Sequence, residues 1–321
     1  GRRHWQFAPI VYLNRPCPAP PYPVIDVKQQ QQRPRICLTS LTDEHAHGPL
    51  HWLVQWRNYN HQVASWSRQN KQRYADKHGY TFVDASYLLN ASRPPAWTKV
   101  LALQHLLQRT GEKEHCDWVV WMDADAIIMN ANIRIESFLP IHGDLLTTMD
   151  KPHGGWNSGS LVFRNSEWSK QFLNDWWNME DYVRPAGFAL SGDNNAFKQR
   201  IRTVLEDPHQ THVRVPARCT FNSFATFVQK APTPDELQTM PWYRSQHHYH
   251  AGDFVAHVAG YDNKVDTVRL LVQEEERLRA LRELDEREGE SGGVLFIEQE
   301  RQERVTRRLR EVQKEETMDR R

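Results

Sequence analysis

Trp118-Val119-Val120-Trp121-Met122-Asp123-Ala124-Asp125-Ala126-Ile127-Ile128-Met129-Asn130 is the stretch whose reading decides the fold. The run up to Met122 is apolar without alternation and rich in Val and Trp, the pattern of a strand buried on both faces. Asp123 and Asp125 fall where that strand ends, and in open α/β sheets ligands bind just outside the carboxyl ends of strands. Two carboxylates one residue apart at such an edge can share a hard divalent cation, and a cation held this way commonly grips a substrate diphosphate. Against this stands how often a bare Asp-x-Asp is only solvated loop charge. Placement weighs the other way, because a carboxylate beside a buried apolar run is costly without a partner.

Working outward, Arg35 to Leu41 reads as a first strand. An amphipathic region follows from about Leu50 to His78, closed by Gly79, and then a second strand, Tyr80 to Asp84. Pro94-Pro95 breaks the chain before a helix from Trp97 to Gln108, which Gly111 ends. Strand, helix, strand, helix, strand implies a parallel sheet. Downstream, Leu145 to Met149, Leu161 to Arg164, Val213 to Pro216 and Phe254 to Val258 are strand candidates. Trp156 to Ser160 reads as a glycine-containing turn. Ser166 caps a helix over Trp168 to Trp177, and Ser191 to Asn195 opens another over Ala196 to Ile201.

The chain has 321 residues, 39% hydrophobic and 25% charged, enough for a sizeable core. A net charge of +1 gives no argument for nucleic acid as a partner. The 12 Trp read mainly as core anchors. Cys17, Cys37, Cys116 and Cys219 are scattered without a Cys-x-x-Cys pair, which argues against a zinc site and gives no disulfide framework. No apolar run is long enough to span a bilayer. Gly1 rather than Met stands first, from which we expect further N-terminal residues.

Three regions are expected. Residues 1–33, rich in Pro and Gln, read as a stem or linker, and 34–272 as the catalytic domain. Residues 273–321 read as a charged helical tail that adds little core. From Thr267 onward, Leu271, Leu278, Leu281 and Leu284 form a thin apolar stripe, which offers homo- or hetero-oligomer pairing through helices, although the charge density favours a solvated tail.

Six blocks then assemble in order: Tyr74-Ala75-Asp76-Lys77-His78-Gly79-Tyr80; Trp97-Thr98-Lys99; Trp121 to Ala126; Trp156 to Ser160 followed by Arg164 to Ser169; Gly192-Asp193-Asn194-Asn195-Ala196; and Gly252 to Gly260. With them the chain resembles the galactosyl-, xylosyl- and mannosyltransferases that include plant xyloglucan xylosyltransferases and fungal Golgi α-mannosyltransferases. The resemblance covers about Arg35 to Val272. It implies a GT-A fold, an α/β architecture with a Rossmann-like, mixed but mostly parallel sheet flanked by helices. It implies retaining transfer of a hexosyl or pentosyl group from a nucleotide sugar, a UDP-sugar ahead of a GDP-sugar, to an oligosaccharide, polysaccharide or glycoprotein acceptor. It implies Mn²⁺, with Mg²⁺ as the alternative, and a lumenal domain at the Golgi membrane.

Residue by residue, the resemblance makes Asp123, Asp125 and His257 the metal ligands. Thr39, Ser40 and Lys99 become nucleotide contacts, and Asn157, Ser158 and Gly159 donor-sugar contacts. Asp193 and Asn194 become the catalytic pair near the transferred sugar. Two departures stand out. The family usually carries an acidic residue before Asp193 and Gln after it, where this chain has Gly192 and Asn194. Cys and Lys often follow the final glycine, where this chain has Tyr261 and Asp262, with Lys264 as a substitute cofactor contact.

Physical chemistry gives each position a plainer alternative. His257 alone reads as a satisfied core histidine, Lys99 as a helix-surface lysine, and Asp193 as the N-cap of the helix after it. Two other functions compete: a haloacid-dehalogenase-type phosphatase, which also places Asp-x-Asp after an apolar strand, and a non-catalytic carbohydrate-binding protein on a transferase fold.

Overall fold

The structure is a computed structural model. It describes residues 6–7, 17–26, 33–42, 61–90, 92–111, 114–151, 155–184, 191–228, 248–261 and 263–288. In chain order the strands are β1 (Gln6–Phe7), β2 (Ile36–Ser40), β3 (Thr81–Asp84), β4 (Trp118–Met122), β5 (Ala126–Ile128) and β6 (Leu145–Lys151). They continue with β7 (Gly155–Arg164), β8 (Val213–Arg214), β9 (Ser223–Phe224), β10 (Phe227–Val228) and β11 (Val255–His257). The helices are α1 (His61–His78), α2 (Thr98–Leu107), α3 (Glu167–Trp177), α4 (Asp193–Leu205) and α5 (Lys264–Glu288).

β4 lies inside a six-stranded sheet of order β3-β2-β4-β7-β6-β8. The β2–β3, β2–β4 and β6–β8 pairs are parallel, while β7 runs antiparallel to both its neighbours. This is the mixed, mostly parallel α/β sheet expected. All five residues of β4 are buried, and they divide with period two. Val119 and Trp121 join a cluster with Trp97 and Leu103 of the α2 region, Phe172 and Trp176 of α3, and Phe197 of α4. Trp118, Val120 and Met122 join Tyr74, Phe138, Phe221 and Phe254 on the other face. A strand covered on both faces has no place for alternating polar residues, so its sequence is continuously apolar.

After Asp125 the chain leaves this sheet. β5 pairs antiparallel with β11, which runs parallel to β9, giving a second sheet of order β5-β11-β9. β5 is therefore an edge strand. A side chain of α1 occupies that edge: Asn70 Nδ2 donates to the Ile128 carbonyl at 3.0 Å, and the Ile128 N–H donates to Asn70 Oδ1 at 2.8 Å. One amide thus satisfies both outward backbone groups of Ile128, which a further strand would have paired.

Four features differ from the sequence reading. Gly155–Arg164 is one long strand, and Trp156 to Ser160 is part of it rather than a turn, because β4 and β6 flank it and supply ladder partners on both sides. The cysteines do form a disulfide framework: Cys17 bonds Cys219, and Cys37 bonds Cys116. Residues 17–26 do not run free as a stem. Ile25 is buried and its N–H bonds the Leu139 carbonyl at 2.9 Å, Tyr22 Oη donates to the Phe138 carbonyl at 3.1 Å, and Cys17 is tied to the far half of the chain. Finally, α5 runs straight across position 272. Its Leu271 and Val272 are buried and Leu278 packs against the same cluster, so this part of the apolar stripe is used inside the chain rather than for a partner. Glu275 is buried and meets Arg73 of α1 at 3.0 Å, and Arg282 donates to the Met129 carbonyl at 3.0 Å. The expected helix before His61 and the tail beyond 288 lie outside the described residues.

Candidate active site

The Asp-Ala-Asp segment is gripped by backbone from both sheets. The Asp123 N–H donates to the Gly159 carbonyl of β7 at 2.7 Å, and the Val258 N–H donates to the Asp125 carbonyl at 3.0 Å. β11 pairs with β5 in a register that sets His257 opposite Ala126. The imidazole, 132 positions beyond Asp125 in sequence, therefore returns to the same edge. One ligand atom from each of Asp123, Asp125 and His257 lies within 4.8 Å of the others.

Each carboxylate divides its oxygens between two tasks. Asp123 Oδ1 accepts from Trp121 Nε1 at 2.8 Å and Lys99 Nζ at 3.2 Å, while Asp123 Oδ2 faces His257 Nε2 at 4.0 Å. Asp125 Oδ2 accepts from Lys264 Nζ, which also donates to the Val258 carbonyl. Asp125 Oδ1 faces His257 Nε2 at 3.4 Å and is buried without a hydrogen bond among the described residues. A buried carboxylate oxygen left so is expensive unless a cation supplies its charge.

Gly159 closes the other side. A Cβ there would lie 2.2 Å from His257 Cε1 and 2.9 Å from both Asn157 Oδ1 and Asp123 Oδ2. The donor set of two carboxylates and one imidazole, packed around a glycine, fits a divalent ion of the Mn²⁺ type, which accepts oxygen and nitrogen ligands together.

Burial pushes the Asp125 carboxyl up, but Lys264 and then His257 outweigh it and hold Asp125 well below the ordinary carboxylate range. Burial likewise raises Asp193, and Lys99 with a Ser191 hydrogen bond brings it below its ordinary value. Burial would lower Lys99, yet Asp123 and Asp193 hold it above the ordinary lysine value.

The other expected residues fall around this centre. Lys99 is not on the helix surface. It is buried, 3.0 Å from Asp193 Oδ2 and 3.3 Å from Ser158 Oγ. Asp193 does not cap α4, because Gly192 holds the cap with φ of 90° and Asp193 starts the first turn. A side chain at Gly192 would put Cβ 1.7 Å from the Tyr182 carbonyl oxygen, so this chain cannot carry an acidic residue there without rebuilding. Asn194 Oδ1 accepts the Ser158 N–H at 2.9 Å. Asn157 turns its Oδ1 toward Gly159 N and Asn222. Thr39 spends its hydroxyl on the Val83 carbonyl at 2.8 Å, while Ser40 Oγ, at the carboxyl end of β2, is buried without a hydrogen bond among the described residues.

Two residues at this centre escaped the sequence reading. Lys71 of α1 is fully buried and donates to Ser67 Oγ at 2.8 Å and to the Ala126 carbonyl at 2.9 Å. Asn222, also fully buried, bonds His257. A lysine and an asparagine at buried positions carry no sequence mark of their own.

A profile of the galactosyl transferase GMA12/MNN10 family matches residues 34–152 and 141–266. The chain belongs to this family. Its relatives include the probable alpha-1,6-mannosyltransferase MNN10 of Saccharomyces cerevisiae, 26% identical over 266 residues, covering 71% of this chain and 62% of that protein. The probable xyloglucan 6-xylosyltransferase 1 of Oryza sativa is 30% identical over 182 residues, covering 54% of this chain and 36% of that protein. The chain thus spans less than two thirds of the length of these relatives. Among solved structures, a glycosyltransferase involved in the glycosylation of the major capsid of PBCV-1 is similar with a TM-score of 0.47 and 15% identity, over 75% of this chain and 100% of that one. Membership in the family sets aside the phosphatase alternative.

Proposed function

We propose that this chain transfers a glycosyl group, a hexose or pentose, from a nucleotide sugar to a glycan acceptor with retention, forming an α-linkage. The observation that carries the reading is the convergence of Asp123 Oδ2, Asp125 Oδ1 and His257 Nε2 on one point at the carboxyl end of β4. These three atoms would hold Mn²⁺, with Mg²⁺ second because the imidazole favours a softer ion. A bound ion there neutralises the charge that builds on the leaving diphosphate.

The remaining groups position the donor. Lys99 and Lys264 each hold the outer oxygen of one carboxylate, which turns the inner oxygens toward the metal and sets cationic charge beside the diphosphate. Ser40 Oγ offers a buried hydroxyl to the nucleotide at the end of β2, beside Thr39. Gly159 lets a sugar approach the backbone between Asn157 and Ser158. Asp193, kept ionised by Lys99, steadies positive charge on the transferred sugar, and Asn194 fixes Ser158 next to it. A UDP-sugar is the first donor to test and a GDP-sugar the second. The two disulfides favour an oxidising compartment, in keeping with a lumenal Golgi domain.

The test is donor hydrolysis by the intact chain over a panel of UDP- and GDP-sugars, with Mn²⁺ and with EDTA. Release of nucleoside diphosphate from one sugar class, stopped by EDTA and restored by Mn²⁺, is expected. Equal release in EDTA, or nucleotide binding with no release from any donor, would reject the reading, the second outcome in favour of a carbohydrate-binding protein without turnover.

A further inference from the structure

Behind His257 runs a chain of buried hydrogen bonds whose polarity is fixed from one end. The Gly159 N–H donates to Asn157 Oδ1 at 2.8 Å. A backbone N–H only donates, so the Asn157 atom facing it is the oxygen. That oxygen also meets the Asn222 side chain at 3.1 Å, and because it only accepts, Asn222 turns its NH₂ toward it. The same NH₂ reaches Thr148 Oγ1 at 2.9 Å. Asn222 Oδ1 is then the atom that faces His257 Nδ1 at 2.9 Å, so Nδ1 carries the hydrogen. Nε2 is left to point at Asp125 and Asp123. Its 3.4 Å from Asp125 Oδ1 is longer than the roughly 2.7–2.9 Å of a charge-assisted N–H···O bond, and suits two ligands of one ion.

Asn222 itself cannot drift. Its N–H and carbonyl are both held by Arg218, through the Arg218 carbonyl and Nε, each at 2.9 Å. The turn that carries it is tied by Cys219 to Cys17.

We propose that Asn222 is a positioning residue for the metal centre: it holds the His257 ring in the orientation and tautomer that present Nε2 as a ligand, taking its own polarity from Gly159 through Asn157. The inference rests on the reading of Asp123, Asp125 and His257 as a cation site. Partners behind metal-binding imidazoles commonly matter at the level of 10- to 100-fold, roughly, in affinity.

The experiment measures Mn²⁺ binding by electron paramagnetic resonance of the free ion, with thermal melts alongside, on the wild type, Asp125→Asn, His257→Ala, Asn222→Leu and the His257→Ala/Asn222→Leu double variant. Asn222→Leu should weaken Mn²⁺ about 10- to 100-fold and should have no further effect once His257 is gone. A residue that merely stabilises the fold would lower the melting temperature and leave the Mn²⁺ midpoint alone, or act equally in both backgrounds, and either result overturns the proposal. If Asp125→Asn and His257→Ala both bind Mn²⁺ normally, the cation site itself is wrong. If they lose binding and Asn222→Leu keeps it, only the role of Asn222 fails. Should Asn222→Leu not fold, nitrogen-15 spectra of the metal-free wild type at alkaline pH decide the matter: His257 protonated at Nδ1 alone supports the proposal, and a proton on Nε2 overturns it.

Discussion

Lys71 shows how a single buried side chain can carry a cost. Its ammonium is fully buried and, among the described residues, bonded to a hydroxyl and a carbonyl. Burial lowers its pKa from the ordinary lysine value to about 7, with Asp125, Asp123 and Asp84 resisting. The folded state therefore sheds a proton that the unfolded state keeps between pH 7 and 10.5. The cost is fully present below pH 7, and stability rises as pH climbs through that window, because there the unfolded chain binds more protons. Lys71→Met should be more stable than wild type at pH 6, by about 1–4 kcal/mol on the scale seen when buried charges give way to apolar side chains. It should also lose the alkaline rise. Urea unfolding at pH 6 and pH 9 measures both, and a destabilised Lys71→Met at pH 6 would mean that the Ser67 and Ala126 bonds outweigh the burial.

Gly159 gives a second residue-scale prediction. A Cβ placed 2.2 Å from His257 Cε1 must displace the ring, so Gly159→Ala should cut Mn²⁺ affinity and turnover together, while β7 stays paired on both sides. Unchanged Mn²⁺ affinity in Gly159→Ala would show that the ring has room the packing denies it.

Among elements, legibility followed where the partners lay. β4 and the carboxylates at its end could be read because the burial of a central strand and the cost of a carboxylate beside it are both local. β7 was misread at Trp156 to Ser160 because Asn, Ser and Gly have turn chemistry. What makes them a strand is the ladder on either side, and what requires the glycine is an imidazole from β11. Asn222 and Lys71 were invisible for the same reason, with partners 35 and 55 positions away. α5 was misjudged because its charges pair inward: Glu275 is buried against Arg73 rather than solvated. A chain ending at Val272 should thus lose about 1–3 kcal/mol of stability, since Arg73 and the Met129 carbonyl lose their partners. A chain ending at Glu288, which keeps both contacts, is the reference. If both truncations unfold alike in urea, the packing of α5 beyond Val272 adds nothing.

Across the whole molecule, two long-range covalent ties add to the packing. Cys17–Cys219 spans 202 positions and Cys37–Cys116 spans 79. Neither pairing can be deduced from spacing, since four cysteines allow three connectivities. Replacing Cys17 and Cys219 together by Ser should cost about 2–4 kcal/mol, read as an earlier urea midpoint, and should loosen the turn that carries Asn222. An unchanged midpoint would mean that the bond only decorates a segment already fixed by Ile25 and Tyr22. The fold, the sheet and the family are thus settled at this scale, and the chemistry rests on one point in it. Anomalous diffraction from crystals soaked in Mn²⁺ tests that point directly. The account predicts a single strong peak at inner-ligand distance, about 2.0–2.4 Å, from Asp123 Oδ2, Asp125 Oδ1 and His257 Nε2. A peak that omits His257, or no peak at the carboxyl end of β4, would contradict it.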